Sequence, residues 1–145
     1  MRPSIKLSIP MLVLAASVGC VVYTDDVHHD DYVESNYSPY IEGAEAGVFY
    51  DDYAHDDVWY FDASVDDPDG VYDVVEVWAD VFDERSGEMV ESFELYSTND
   101  PYFWTSEWYG YDTYLDPFYD GYSVDFVAYD AYDAYDVLTV WAITY

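Results

Sequence analysis

Apolar residues at every second position dominate the chain after residue 57 and constrain its fold more than any other feature. Between Trp59 and Val65 the odd-numbered residues are all apolar, and the same period returns near Tyr122 to Ala128. Segments rich in Asp, Pro and Gly, such as Asp66 to Gly70, interrupt these runs with turn-forming residues. A period of two predicts half-buried β-strands, and no amphipathic helix longer than two turns is indicated.

The pattern predicts six strands with turns between them, and a seventh near residue 48. The six lie at about 58–65, 75–82, 89–96, 102–109, 122–129 and 137–145. On the second strand one face is predicted to point inward, formed by Val75, Val77, Ala79 and Val81. We therefore expect an all-β fold, an antiparallel two-sheet sandwich of about seven strands over 58–145.

Two segments make this region resemble bacterial immunoglobulin-like and fibronectin-III-like domains. One is Val65 to Gly70 followed by Val74 to Val77, and the other is Tyr119 to Val124 leading into 126–130. The resemblance implies an immunoglobulin-like sandwich without a disulfide, and a tyrosine corner at Tyr122 or Tyr119. Domains of this kind serve adhesion, spacing or ligand presentation, and the fold alone does not decide among these roles.

Cys20 is the only cysteine, and it follows a short apolar segment. The positively charged segment Met1 to Lys6 is followed by the apolar segment 7–18. This segment is too short to span a bilayer, because a membrane-spanning helix needs roughly 20 residues. Cys20 at this junction resembles the lipobox of bacterial lipoprotein precursors. The resemblance implies a signal helix over 1–19 that is removed, and lipid attachment to Cys20 as a diacylglyceryl thioether with acylation of the new amine. The alternative is an ordinary signal peptide in which Cys20 is incidental.

Residues 20–57 are predicted to be a flexible, acidic, Tyr-rich tether, because few aliphatic residues interrupt their Asp pairs. Val21 follows the cysteine, where enteric lipoproteins retained in the inner membrane have Asp. By that analogy we expect a lipid-anchored protein of the cell envelope, in the outer membrane.

The charge is extreme, with 32 acidic residues against 3 Lys and Arg and a formal net charge of −29. Arg2 and Lys6 lie in the leader, so Arg85 is the only base of the expected mature chain. Such a surface repels nucleic acid and anionic lipid headgroups, which excludes a nucleic-acid partner. Contact with the membrane is therefore expected only through the lipid attached to Cys20. We expect a high-salt habitat, where screening removes the self-repulsion. The alternative is loading with divalent cations.

No catalytic motif stands in the sequence, and all three histidines precede residue 58. We therefore expect no enzyme. The cluster His28, His29, Asp30, Asp31 has transition-metal ligand types but is interpreted as a solvated run of the tether.

Two Asp-rich turns contain the candidate metal ligands of the predicted domain. Calcium prefers carboxylate and carbonyl oxygens, so a possible Ca²⁺ cofactor has these candidate ligands: Asp66, Asp67, Asp69, Asp130, Asp133 and Asp136. The alternative is that Asp simply favours turns, and the sequence does not say whether the two turns lie at one end of the sandwich.

Exposed aromatic residues suggest a glycan as a further partner. Four residues would present rings on a sheet face: Tyr60, Trp78, Trp104 and Tyr129. The alternative is that these rings fill the core. The expected function is a lipid-anchored envelope protein with a non-enzymatic module for binding, spacing or adhesion, in contact with an envelope protein or glycan. The alternative is a carbohydrate- or Ca²⁺-dependent ligand-binding module.

Overall fold

The computed structural model describes residues 35–145, and this part of the chain is all β apart from two single 3₁₀ turns. The predicted signal helix, the lipid attachment at Cys20 and the cluster at His28 to Asp31 lie outside the described residues. The strands are β1 (Tyr40–Asp51), β2 (Asp56–Asp66), β3 (Val74–Asp83), β4 (Glu88–Ser97), β5 (Phe103–Tyr109), β6 (Tyr122–Asp130) and β7 (Tyr135–Trp141). The prediction of an all-β antiparallel fold of about seven strands is confirmed.

The seven strands form one sheet in the order β1-β2-β5-β4-β3-β6-β7, and every pairing between neighbours is antiparallel. Long ladders join β1, β2 and β5 in one group, and β4, β3, β6 and β7 in another. Only the pairs Tyr96↔Thr105 and Ser97↔Trp104 connect the two groups through β4 and β5. The predicted division into two separate sheets is thus replaced by one hydrogen-bonded sheet.

The two outer strands of this sheet meet, so the sheet is nearly closed. Gly47 of β1 and Ile143 form a parallel bridge. The Val48 N–H donates to the Ile143 carbonyl over 2.9 Å, and the Ile143 N–H donates to the Ala46 carbonyl over 2.9 Å. These bonds leave no long unpaired edge at this point, which limits edge-to-edge association.

The core lies between the inward faces of the two strand groups. Phe61 of β2 stacks on Phe93 of β4 with ring centroids 4.7 Å apart. Trp59 of β2 meets Tyr122 of β6 edge-on at 5.9 Å. Both β2 rings are fully buried, and such aromatic contacts add to the free energy gained by burying apolar area. The odd-numbered residues of β2 face inward, as their alternation predicts.

Strand β1 corrects the predicted domain boundary. The sequence predicts a tether over 20–57 and a domain that begins at residue 58, but β1 lies inside the tether range and pairs with β2 along its length. The prediction of a tether is wrong for residues 40–51, whereas the seventh strand predicted near residue 48 is confirmed as part of β1. The segment Gly43 to Gly47 has low β-propensity, so its extended shape depends on pairing with β2 rather than on its own residues.

A bulge corrects the predicted inward face of β3. The register shifts between Val74 and Glu76, so Val75 is the extra residue. Val74 is 5% exposed and faces the core, whereas Val75 is 50% exposed. The predicted inward positions Val77, Ala79 and Val81 are buried.

Tyr122, at the start of β6, bonds back to the main chain through its hydroxyl. Its hydroxyl accepts a hydrogen bond from the Asp116 N–H over 3.0 Å. Tyr119 has a different role, because its hydroxyl donates to Asp83 Oδ1 over 2.5 Å and its ring lies under the Arg85 guanidinium, 4.6 Å away. Of the two predicted candidates, Tyr122 is the one whose hydroxyl bonds to the main chain.

Candidate functional site

The two predicted Asp-rich turns lie at the same end of the domain. The Ala131 N–H in the β6–β7 turn donates to the Asp73 carbonyl in the β2–β3 connection over 3.0 Å. The first described residues reach the same end, since the Tyr37 N–H donates to Asp69 Oδ2 over 2.6 Å. We call this region, formed by 35–37, 66–73 and 130–136, the acidic end.

Asp130 is the most buried acid of the acidic end, at 1% exposure. Its Oδ1 accepts the N–H groups of Tyr132 and Ala134 at 2.8 Å each, and its Oδ2 accepts Asn36 Nδ2 at 2.6 Å. Burial alone would raise the pKa of Asp130, but these three hydrogen bonds outweigh it and hold the pKa below its ordinary value. Asp130 is therefore a carboxylate at neutral pH.

Asp67 is also buried, at 4% exposure, but only one of its oxygens has a partner. Its Oδ1 accepts the Asp69 N–H over 2.7 Å, whereas Oδ2 is buried without a hydrogen-bond partner. Burial raises the pKa of Asp67, which the Asp69 N–H partly opposes. The carboxylates of Asp69, Asp73 and Asp130 then raise this pKa further, so all three lie within electrostatic range of Asp67.

The other predicted calcium ligands have partners of their own. Asp66 accepts the Asp67 N–H at 2.8 Å and the Tyr40 hydroxyl at 3.0 Å. Asp136 Oδ2 accepts the Ile41 N–H at 2.9 Å. Asp133 is exposed, in the left-handed conformation with φ of 64°. All six predicted acids thus lie at the acidic end, and two of them, Asp67 and Asp130, are buried.

Asp73 is the acid that sequence reasoning missed at this end. With Ser35, Asn36, Asp69 and Tyr132 it lines a cavity of about 260 Å³. Asp73 ends the 3₁₀ turn Val71–Asp73, and no pattern in the sequence indicated that it would line this cavity. Within 35–145, no group of three or more His, Cys, Asp or Glu side chains is arranged to hold a metal ion.

The four predicted sugar-stacking aromatics do not form one platform. Trp78 and Tyr129 lie together in a pocket of about 380 Å³ on the outer face of β3 and β6, with Glu76 and Asp80 in its lining. Tyr60 belongs to the other strand group, where its hydroxyl donates to Glu45 over 2.9 Å. Trp104 is 8% exposed and part of the core, so the prediction that it presents its ring is wrong.

A further aromatic groove opens where β4 and β5 separate. Its volume is about 650 Å³, and its lining includes Tyr96, Trp108 and Tyr109. Trp108 is half-buried and donates from Nε1 to Ser106 Oγ over 2.8 Å. No pattern in the sequence indicates this groove, because it lies where the β4–β5 ladder stops after two pairs.

Comparison with known proteins found no match to any family model. Searches of curated proteins and of solved structures also returned no similar protein. Helices of a length and apolarity suited to crossing a membrane are absent from the described part of the chain. Function is therefore inferred from the residues of this chain and their geometry.

Proposed function

We propose that this protein is a lipid-anchored component of the bacterial cell envelope, with a non-enzymatic immunoglobulin-like module for binding, spacing or adhesion. The observation that carries the proposal is the position of Cys20, directly after the apolar segment 7–18. In the chain, residues 21–39 lie between Cys20 and Tyr40, where β1 begins. Val21 after the cysteine favours the outer membrane, by the analogy with enteric lipoproteins.

The immunoglobulin-like assignment is supported by two features of the fold. The long ladders divide the strands into a group of three and a group of four whose inner faces share the core. Tyr122, near the start of the sixth strand, bonds back to the main chain of Asp116. Both features are typical of immunoglobulin-like sandwiches.

Fractionation of cells that carry Cys20→Ser tests the anchor. We expect the unmodified protein in the detergent-extracted membrane fraction, and Cys20→Ser in the soluble fraction or retained as an unprocessed precursor. The control is Ser17→Leu, which places the usual lipobox residue three positions before the cysteine and should stay in the membrane fraction. Membrane association of a processed Cys20→Ser protein would overturn the proposal.

A second candidate function is glycan binding at the pocket of Trp78 and Tyr129. The specific observation is that two rings and the carboxylates of Glu76 and Asp80 line one outer surface, the combination that stacks on and hydrogen-bonds to sugars. A glycan array probed at the native salt concentration tests it. Binding should be lost in Trp78→Ala and kept in Tyr60→Ala, on the other strand group; a blank array would exclude this function.

A further inference from the structure

We propose that an opening between β4 and β5 binds an extended, basic segment of another protein, which adds to the sheet as a short strand along β5. We call this opening, bounded by Ser92 and Glu94 of β4 and by Glu107 and Tyr109 of β5, the β4–β5 gap. The proposal rests on the proposed binding role and names the kind of partner, but it does not depend on the lipid anchor.

The main chain of β5 has hydrogen-bonding groups that face the gap. The Val65 N–H donates to the Tyr102 carbonyl over 2.9 Å, and the direction of hydrogen bonding alternates from residue to residue along an antiparallel strand. The even-numbered residues 104–108 therefore bond to β2, whereas the N–H and C=O groups of Glu107 and Tyr109 point toward β4. The β4–β5 ladder ends before it reaches Glu107, so these groups have no partner strand within the described chain. Unpaired N–H and C=O groups on a strand edge are a template for pairing with another chain.

The charges of Glu94 and Glu107 account for the end of this ladder. Its two pairs, continued in the same register, would place Glu94 directly opposite Glu107. Both side chains are exposed, and like charges that lie directly opposite one another destabilise a sheet. The ladder therefore stops short of these two residues.

A basic side chain from a partner would convert this repulsion into attraction. Arg85 is the only Lys or Arg within 35–145, and its guanidinium lies over the Tyr119 ring, 4.6 Å away. The described chain therefore offers no base to lie between Glu94 and Glu107. A second copy of this chain, with a formal net charge of −29, would bring further acids rather than the missing base. Charge complementarity thus favours a basic partner over self-association.

Aromatic rings beside the gap would contact the apolar side chains of the partner strand. Phe93 of β4 and Trp108 of β5 have ring centroids 5.5 Å apart, and Trp108 is half-buried. Trp108 also lines the groove of about 650 Å³ together with Tyr96 and Tyr109. Alternate side chains of an extended strand point to opposite faces. A segment that alternates basic and apolar residues would therefore place its bases near the glutamates and its apolar side chains on these rings.

The gap is short, which limits the length of strand that it accepts. The Tyr114 N–H donates to Glu91 Oε2 over 3.0 Å, so the chain that leaves β5 crosses to β4 beyond Ser92. Main-chain pairing is therefore expected at Glu107 and Tyr109, and not farther along the chain. Such addition of a strand to a sheet edge takes its affinity from main-chain hydrogen bonds and its specificity from the alternate side chains.

Titration of a terminally blocked peptide of alternating Lys and Val into the detergent-extracted protein at high NaCl tests the proposal. We expect saturable binding. Hydrogen exchange, followed residue by residue by NMR, should slow at the main-chain N–H groups of Glu107 and Tyr109 when the peptide is bound. Exchange at Asp52, in the β1–β2 turn, should not change.

Two N-methylated forms of the peptide separate strand addition from attraction between net charges. Methylation of the main-chain nitrogens of all Lys, or of all Val, removes alternate donors but keeps the charge and the side chains. One of the two forms should bind more weakly by roughly tenfold or more, because it loses the hydrogen bonds to β5, and the other should bind as before. Unchanged binding of both forms would overturn the proposal, and so would the absence of saturable binding by the unmodified peptide.

Glu107→Gln and Glu94→Gln should each weaken binding of the peptide, because each removes a charge at the gap. The matched control is Glu42→Gln, which removes the same charge from the exposed bulge residue of β1 and should bind as the unmodified protein does. Equal losses in all three variants would overturn the proposal, since binding would then follow net charge alone. A dimer of the chain that protects Glu107 without any peptide would also overturn it. None of these results bears on the anchor, which fractionation of Cys20→Ser tests separately.

Discussion

Asn36 donates a hydrogen bond from Nδ2 to Oδ2 of Asp130 over 2.6 Å, although the two residues are 94 positions apart in the chain. The bond joins the first described residues to the turn between the last two strands. Asp130 also stabilises that turn, because its Oδ1 accepts the main-chain N–H groups of Tyr132 and Ala134. One buried carboxylate thus organises both the entry of the chain and the β6–β7 turn.

Asp130→Ala should destabilise the domain more than Asn36→Ala does. The first change leaves three donors without an acceptor, whereas the second removes a single donor from an exposed side chain. Chemical denaturation of both variants measures the difference. Equal free energies of unfolding would contradict the role assigned to Asp130.

Asp130 also predicts a sensitivity to acid. Its folded pKa lies below its ordinary value of 3.8, so the carboxylate is stabilised by folding. The corresponding stability is present above that value and is lost as the pH falls through the folded pKa. The unmodified protein should therefore lose more stability than Asp130→Ala does as the pH is lowered from 5 to 2, roughly the range over which such groups titrate.

Gly47→Ala should weaken the closure between β1 and β7. A Cβ at this position would lie 2.8 Å from the Tyr60 hydroxyl and 2.9 Å from the Ile143 carbonyl oxygen, and the second atom is main chain. We expect a loss of about 1–3 kcal/mol in the free energy of unfolding, as for overpacked sites. The matched control is Gly43→Ala on the same strand, where a Cβ meets nothing within 4 Å. Equal stability of the two variants would show that the closure is not tight.

Tyr60 predicts a loss of stability at alkaline pH. Burial, the hydrogen bond to Glu45 and the negative charges of Glu45 and Asp62 raise the pKa of Tyr60 to about 12, from an ordinary value of 10.0. Because the folded state keeps the proton longer than the unfolded state, stability falls as the pH rises from about 10 to about 12. Across this range, the free energy of unfolding should fall more steeply with pH in the unmodified protein than in Tyr60→Phe. Identical slopes of the free energy against pH would contradict the raised pKa.

The acidic surface predicts that salt stabilises the fold. With 32 acidic residues and a formal net charge of −29, repulsion opposes the compact state in dilute buffer. At 1 M salt the Debye length falls to about 3 Å and screens most of this repulsion. Thermal melts in increasing NaCl should give a rising melting temperature. A melting temperature that does not rise would contradict the high-salt interpretation.

The sequence predicted the strands whose residues alternate strongly, and it predicted too little of β1, which depends on a partner strand. β2 alternates apolar and polar residues, so its position and its inward face follow from the pattern. In β1 only the part near residue 48 was predicted, because Gly43 to Gly47 are extended only through pairing with β2. Val75 illustrates the same limit, since a bulge turns an apolar residue outward without any local signal.

The sequence predicts that the turns of the acidic end are rich in Asp, but not which of these Asp residues are buried. Asp is common in turns for local reasons, so the sequence does not distinguish the buried Asp67 from the exposed Asp133. That distinction arises from tertiary structure, which brings the β2–β3 connection against the β6–β7 turn. The same contact makes Asp73 part of the end although it lies outside both Asp-rich turns.

The intact mass of the protein, extracted with detergent from its native membranes, tests the proposed anchoring most directly. The account predicts a chain that starts at Cys20 and carries the added mass of a diacylglyceryl group and an amide-linked acyl chain. A chain that starts at another residue, or that starts at Cys20 without added mass, would contradict the lipid anchor and make this a free secreted domain.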